Sequence, residues 1–225
     1  MPAAAPAWSA PTVFGTEFLK GGEQLLAVDS SGQAHVWGIT ELLEAEYWEN
    51  APQGHRPRPT LTHQLHDCSI FSVAVSSDRV IFTGGDDMIK AWDALSLTTP
   101  GASPKLLGTA SPPQKTMSRG AVAGIPETNG LAVSSDGKTL FAACGDGSAY
   151  AYDANTLQGI GEFVGHTDYL HCCATQGANG LVTGSEDGTI RLWDARTLKG
   201  DELAMPSGAP KGFVGGVASD MGHNW

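Results

Sequence analysis

The sequence predicts an all-β fold assembled from a repeated antiparallel sheet. Three observations carry that prediction. Residues 165–196 read GHTDYLHCCATQGANGLVTGSEDGTIRLWDAR, three short apolar runs bounded by Gly, Asn, Asp and Ser. Such residues end strands and make tight turns, and Glu186-Asp187-Gly188 is a hairpin turn in which Gly supplies positive φ without steric cost. The same plan recurs upstream, where an Asp-bearing turn leads into an apolar run ending on an aromatic residue and Asp, as at Trp92-Asp93 and Tyr152-Asp153. Finally, 29 glycines and 13 prolines accompany only 16% charged residues in a chain of 225. That balance suits a turn-rich β protein better than a helical one.

Each unit can be followed in order. Residues 1–11 form an Ala/Pro-rich flexible tail without the basic start and apolar core of a secretory signal. The first unit, 12–64, has strands at 12–18, 24–28, 34–37 and 61–64, with an insertion over 42–59. ITELLEAEYW, leading into that insertion, supports one or two helical turns, and the prolines of ENAPQGHRPRP exclude helix after it. The second unit, 65–110, opens on His66-Asp67 and has strands at 70–75, 80–83 and 89–92, with an outer strand at 105–107. From 95 to 127 the chain is otherwise dense in Pro, Ser, Gly and Thr and reads as loop; residues 111–127 separate two units. The third unit, 128–164, has strands at 130–133, 139–143, 149–152 and 160–164. The fourth, 165–205, has them at 169–174, 181–183, 190–193 and 202–204. Residues 206–225 open a fifth unit with a first strand at 213–218.

Charge and cysteine content exclude several functions. A formal net charge of -11 gives little counterion release on nucleic acid, so strong direct binding to DNA or RNA is not expected. The four cysteines, Cys68, Cys144, Cys172 and Cys173, show no C-x-x-C spacing. They read as reduced, mostly buried small hydrophobes of a cytosolic or nuclear protein, and adjacent Cys172 and Cys173 face opposite sides of one strand. No metal or cofactor is expected. No apolar run reaches membrane-spanning length, so no membrane partner is expected.

Self-similarity with Gly-His and Trp-Asp marks resembles the blades of WD40-repeat β-propellers. The aromatic marks are Trp37, Trp92, Tyr152 and Trp193; Asp86, Asp146 and Asp187 each stand six residues before one of them, and the His marks are His66 and His166. The resemblance implies a partial propeller of about four blades plus the first strand of a fifth. It also implies that His166, Thr183, Asp187 and Trp193 form a buried hydrogen-bonded structural tetrad in blade 4. Blades 1 and 3 lack the His, and blade 1 has Ser31 in place of the Asp. A propeller of this kind closes with about seven blades, so the chain reads as a fragment, a truncated product, or one whose missing blades come from another chain.

A narrower resemblance, carried by DYLHC, IKAW and PETN, is to the propeller subunits of the mRNA-export THO complex, in their plant-type form. It implies a non-catalytic scaffold, nuclear with cytoplasmic presence also allowed, whose partners are other protein subunits of a THO-type assembly. Residues 181–196 also resemble the WDxR box of substrate receptors for cullin-RING ubiquitin ligases. In that alternative Asp194 and Arg196 lie on one rim and Arg196 binds the ligase adaptor; the competing expectation is a local ion pair of little net energy. His166, Asp187 and Thr183 imitate a catalytic set, but their spacing builds blades. No G-x-S-x-G elbow or phosphate loop accompanies them, so no catalytic residue is assigned. Tyr169, Leu170 and His171 begin a strand beneath the rim, and Lys115 and Arg119 read as solvated loop charges.

Overall fold

The computed structural model describes residues 11–44, 49–50, 52, 57–76, 79–115, 124–203 and 212–219. Four antiparallel sheets of four strands each occupy them, and every sheet takes its strands consecutively from the chain. The first holds β1 (Val13–Leu19), β2 (Gln24–Asp29), β3 (Gln33–Gly38) and β4 (Leu61–Gln64). The second holds β5 (Ile70–Ser76), β6 (Val80–Gly85), β7 (Ile89–Asp93) and β8 (Leu106–Ala110). The third holds β9 (Thr128–Val133), β10 (Thr139–Cys144), β11 (Ser148–Asp153) and β12 (Gly159–Val164), and the fourth holds β13 (Leu170–Gln176), β14 (Gly180–Ser185), β15 (Ile190–Asp194) and β16 (Lys199–Leu203).

The first strands of neighbouring sheets run beside one another, β1 by β5, β5 by β9 and β9 by β13. The sheets therefore fan out from a common inner row, which is the arc of a β-propeller. A core fills each gap between them. Leu26, Val28 and Val36 meet Ile70, Ile81 and Trp92 between the first two sheets. Strand β10 shows why it reads as a continuous apolar run: Leu140, Ala142 and Cys144 face the second sheet, and Phe141 and Ala143 face the fourth. A strand buried on both faces needs no polar alternation.

An interior sheet and an end sheet differ. Ala91 in the second sheet is 4% exposed, whereas Leu192, at the same place in the fourth, is 38% exposed. Residues 212–219 run along this side, and Val214 N–H donates to Ser185 C=O at 2.9 Å. They form no regular ladder, although the sequence suggests a strand there. An innermost strand receives its ladder from the second strand of its own blade, and among the described residues none is present.

Two further differences concern helix. Ala94–Thr98 is a short α-helix, α1, within the stretch read as loop. Its signal is Asp93, whose carboxylate accepts the Ser96 N–H at 3.0 Å as an N-cap. Glu49 and Asn50 are helical, ahead of Pro52; a helix can run up to the residue before a proline, which itself is pushed toward extended backbone. The cysteines are all free, but only Cys144 is buried and the other three are half-buried. Residues 1–10 of the N-terminal tail, half of the first insertion and Arg119 lie outside the described residues.

Candidate functional site

Blade-forming residues converge on a polar chain inside the fourth sheet. Strand β14 carries Thr183 directly opposite Arg191 on β15, and Trp193 lies two residues farther along. Trp193 Nε1–H donates to Thr183 Oγ1 at 2.8 Å. His166 Nε2 lies 2.8 Å from that hydroxyl, and its Nδ1 lies 2.9 Å from Asp187 Oδ2. Thr189 closes the end, with its hydroxyl 3.1 Å from His166 Nδ1 and 2.7 Å from Asp187 Oδ1. Burial lowers the His166 pKa, keeping the ring neutral. Burial pushes Asp187 the other way, but bonds from Thr189, Thr167 N–H and His166 outweigh it and hold the carboxyl low. Both ring nitrogens are thus committed inward.

The second sheet repeats the chain with one change. His66 bonds Thr83 at 2.8 Å, and Trp92 Nε1–H donates to Thr83 at 2.9 Å. The carboxylate at His66 Nδ1, 2.9 Å away, belongs to Asp87 and not to Asp86, which the six-residue spacing indicates. The turn here is one residue shorter than in the fourth sheet, so the acid in register stands five residues before the Trp. The Cys68 thiol stands near the same carboxylate. The ligand atoms of His66, Cys68 and Asp87 all lie within 4.8 Å of one another.

The other two sheets substitute. In the first, the threonine position is Ala27, opposite His35. His35 Nε2 meets the buried carboxylate of Asp29 at 3.0 Å, and Trp37 Nε1–H donates instead to the Pro57 carbonyl at 3.2 Å. In the third sheet Ala142 holds the threonine position, opposite Tyr150. Lys115, expected as a solvated charge, reaches in from the long loop. Its Nζ lies 2.9 Å from Asp146, 3.2 Å from Glu162 and 2.7 Å from the Ser148 hydroxyl. Tyr150 O–H donates to Asp146 at 2.6 Å. Burial alone favours the neutral amine, but Asp146 and Glu162 together raise the Lys115 pKa. The buried Tyr152 hydroxyl has no partner among the described residues.

The rim box forms a closed local unit. Arg196 places Nε 3.0 Å and Nη2 2.6 Å from the Asp194 carboxylate, which also accepts the Arg196 N–H at 2.9 Å. These bonds hold the Asp194 pKa at about 2. In the third sheet Asp153 accepts the N–H groups of Asn155 and Thr156 in the matching turn. The Asp therefore serves as a turn cap with or without the Arg.

Tyr169 is exposed and Leu170 is buried. His171 sits at an irregularity of β13, where the register shifts between Leu170 and Cys172. Its Nε2 lies 2.7 Å from Glu186, and its ring stacks at a tilt 5.6 Å from Phe213. The matching skipped residues in the first two inner strands are Phe14 and Phe71, whose rings meet edge to face at 5.1 Å. Register shifts were not legible in the sequence, because the apolar pattern continues through them.

Comparison with known proteins fits this architecture. The model of the WD domain, G-beta repeat, matches residues 57–93 and 158–194. The chain thus carries two matched WD40 repeats. The WD40 chain is 32% identical to THO complex subunit 6 of Homo sapiens over 189 residues, 84% of this chain and 52% of that protein. It is 41% identical to THO complex subunit 6 of Arabidopsis thaliana over 81 residues, 36% of this chain and 22% of that protein. It thus spans about half the length of the human relative. The crystal structure of RRP9 WD40 repeats superposes with a TM-score of 0.65 at 15% identity, covering 87% of this chain and 52% of that one. That likeness concerns the fold alone. The WD40 chain is thus a partial propeller, and among its described residues no helix is long and apolar enough to cross a membrane.

Proposed function

We propose that this WD40 chain is a non-catalytic scaffold of a nuclear THO-type assembly for mRNA processing and export, binding other protein subunits through its rims and loops. The supporting observation is the 32% identity to human THO complex subunit 6 across 84% of the chain. The internal geometry fits a scaffold. His166, Thr183, Asp187 and Trp193 satisfy one another, and such closed polar networks specify a core rather than a reacting group. On this reading residues 12–64, 65–110, 128–164 and 165–205 delimit four blades, 111–127 is a loop, and 206–225 opens a fifth.

Affinity purification of the tagged protein from nuclear extract tests the proposal. THO subunits are expected to copurify; recovery of a cullin-ligase adaptor without them overturns it. Because the Arg196 fork is already occupied by Asp194, Arg196→Ala is expected to leave the recovered partners unchanged.

A further inference from the structure

We propose that His66 Nδ1, Cys68 Sγ and Asp87 form a binding site for a zinc-class divalent cation at the edge of the second blade. Nitrogen, thiolate and carboxylate are the donors zinc prefers. At ordinary bond lengths, tetrahedral ligands stand about 3.3–3.8 Å apart. The three donors here already lie within 4.8 Å of one another. His66 Nδ1 and Asp87 Oδ1 are 2.9 Å apart, so a metal needs only a small widening of that pair.

The rest of the ring is oriented for the task. His66 Nε2 lies 2.8 Å from Thr83 Oγ1, and metal-bound histidines are typically fixed through the second nitrogen in this way. Thr83 also accepts the Trp92 N–H at 2.9 Å; a hydroxyl oxygen has two lone pairs and can accept from both rings. On the neighbouring side the first blade closes the site. A Cβ at Gly32 would stand 2.2 Å from the His66 carbonyl and 2.6 Å from that of Cys68.

Comparison with the fourth blade shows what makes the second distinct. There, Thr189 Oγ1 stands against both His166 Nδ1 and Asp187, filling the place of a cation. In the second blade the turn runs Asp87-Met88-Ile89, one residue shorter than Asp187-Gly188-Thr189-Ile190, and supplies no such hydroxyl. The residue two after the histidine is Cys68 here and Asp168 there. Lys90 lies 3.7 Å from Asp87 and carries the opposing charge, but its Nζ is also anchored on the Leu65 carbonyl at 3.1 Å. Three protein ligands leave a fourth position for water.

The test is titration of chelator-treated full chain with Co2+, an optical substitute for zinc, followed by Zn2+. One equivalent of Co2+ is expected to give a thiolate-to-cobalt charge-transfer band that Zn2+ abolishes. Cys68→Ser is expected to weaken binding by about 100-fold or more, as a direct ligand should exceed the effect of an outer-shell partner. Cys172→Ser is expected to retain the band, and replacing Met88 with Gly-Thr, to restore the turn of the fourth blade, to remove it. Absence of the band in the parent protein, or its persistence in a folded Cys68→Ser protein, overturns the site.

Discussion

The third and fourth blades meet the same problem with different means. Each must bury an aromatic ring and fix an aspartate at a tight turn. The fourth does so with His166, Thr183 and Asp187 in one continuous chain. The third has lost both histidine and threonine, and it brings Lys115 across from a preceding loop to hold Asp146. The contrast teaches that the aspartate's charge compensation is retained while the buried hydrogen-bond chain is not. It predicts that the fourth blade is more stable toward loss of any one loop, and more sensitive to loss of a core side chain.

The largest test is Trp193→Ala. The ring is 3% exposed and packs between Phe163 and His166. Its removal is expected to cost about 3–5 kcal/mol in urea unfolding, through lost transfer energy and a residual cavity. An unfolding midpoint equal to the parent's would show that the fourth blade does not contribute its core to the cooperative unit.

Thr183→Ala converts the fourth blade to the state of the third at Ala142. It leaves the buried Trp193 N–H and His166 Nε2 without their shared partner. The expected loss is about 1–3 kcal/mol, the desolvation cost of unpaired buried groups. The comparison sharpens if Ala142→Ser, made in parallel, changes stability far less.

The two blades should also part with pH. The lowered pKa of His166 and of Asp187 means that the unfolded chain binds more protons than the folded one. Stability therefore falls as pH drops below the ordinary imidazole value of 6.5, and again below the carboxylate value of 3.8. Lys115 has the opposite sign: its raised pKa gives stability that is full below 10.5 and is lost as pH rises through the shifted value. Hydrogen exchange should show the fourth blade opening before the third in acid and the 111–115 segment loosening first in base. Lys115→Met should diminish the alkaline response and leave the acid one unchanged, the remainder coming from the raised pKa values of Tyr150, Tyr152 and Cys144. Because Lys115 is 42% exposed, its solvent-screened ion pairs should be worth less than about 1 kcal/mol.

Much of this was legible in the sequence. Apolar runs between turn residues located every strand of the four sheets, and the His166-to-Trp193 spacing picked out the residues that meet in the fourth blade. What escaped was whatever depends on a partner far along the chain or on one inserted or deleted residue. Nothing local distinguishes Lys115 from a solvated lysine, because Asp146 is 31 residues away. The one-residue contraction of the 86–89 turn moved the paired acid from Asp86 to Asp87. Helix α1 escaped because five residues carry too little periodicity, leaving only the Asp93 cap as a signal.

The smallest effect is the most discriminating for the third blade. Tyr152 is 4% exposed, and its hydroxyl lies among groups that give it no hydrogen bond. Burial accordingly pushes its pKa far up, since no donor stabilises the phenolate. Tyr152→Phe removes an unpaired polar atom without changing the ring. Stability should stay level or rise by up to about 1 kcal/mol, with an unchanged denaturant slope. A loss of more than about 1 kcal/mol would mean that an ordered water or another group holds the hydroxyl. The third blade would then possess a buried hydrogen-bond chain of its own, and the difference between the blades would reduce to which residues compose it.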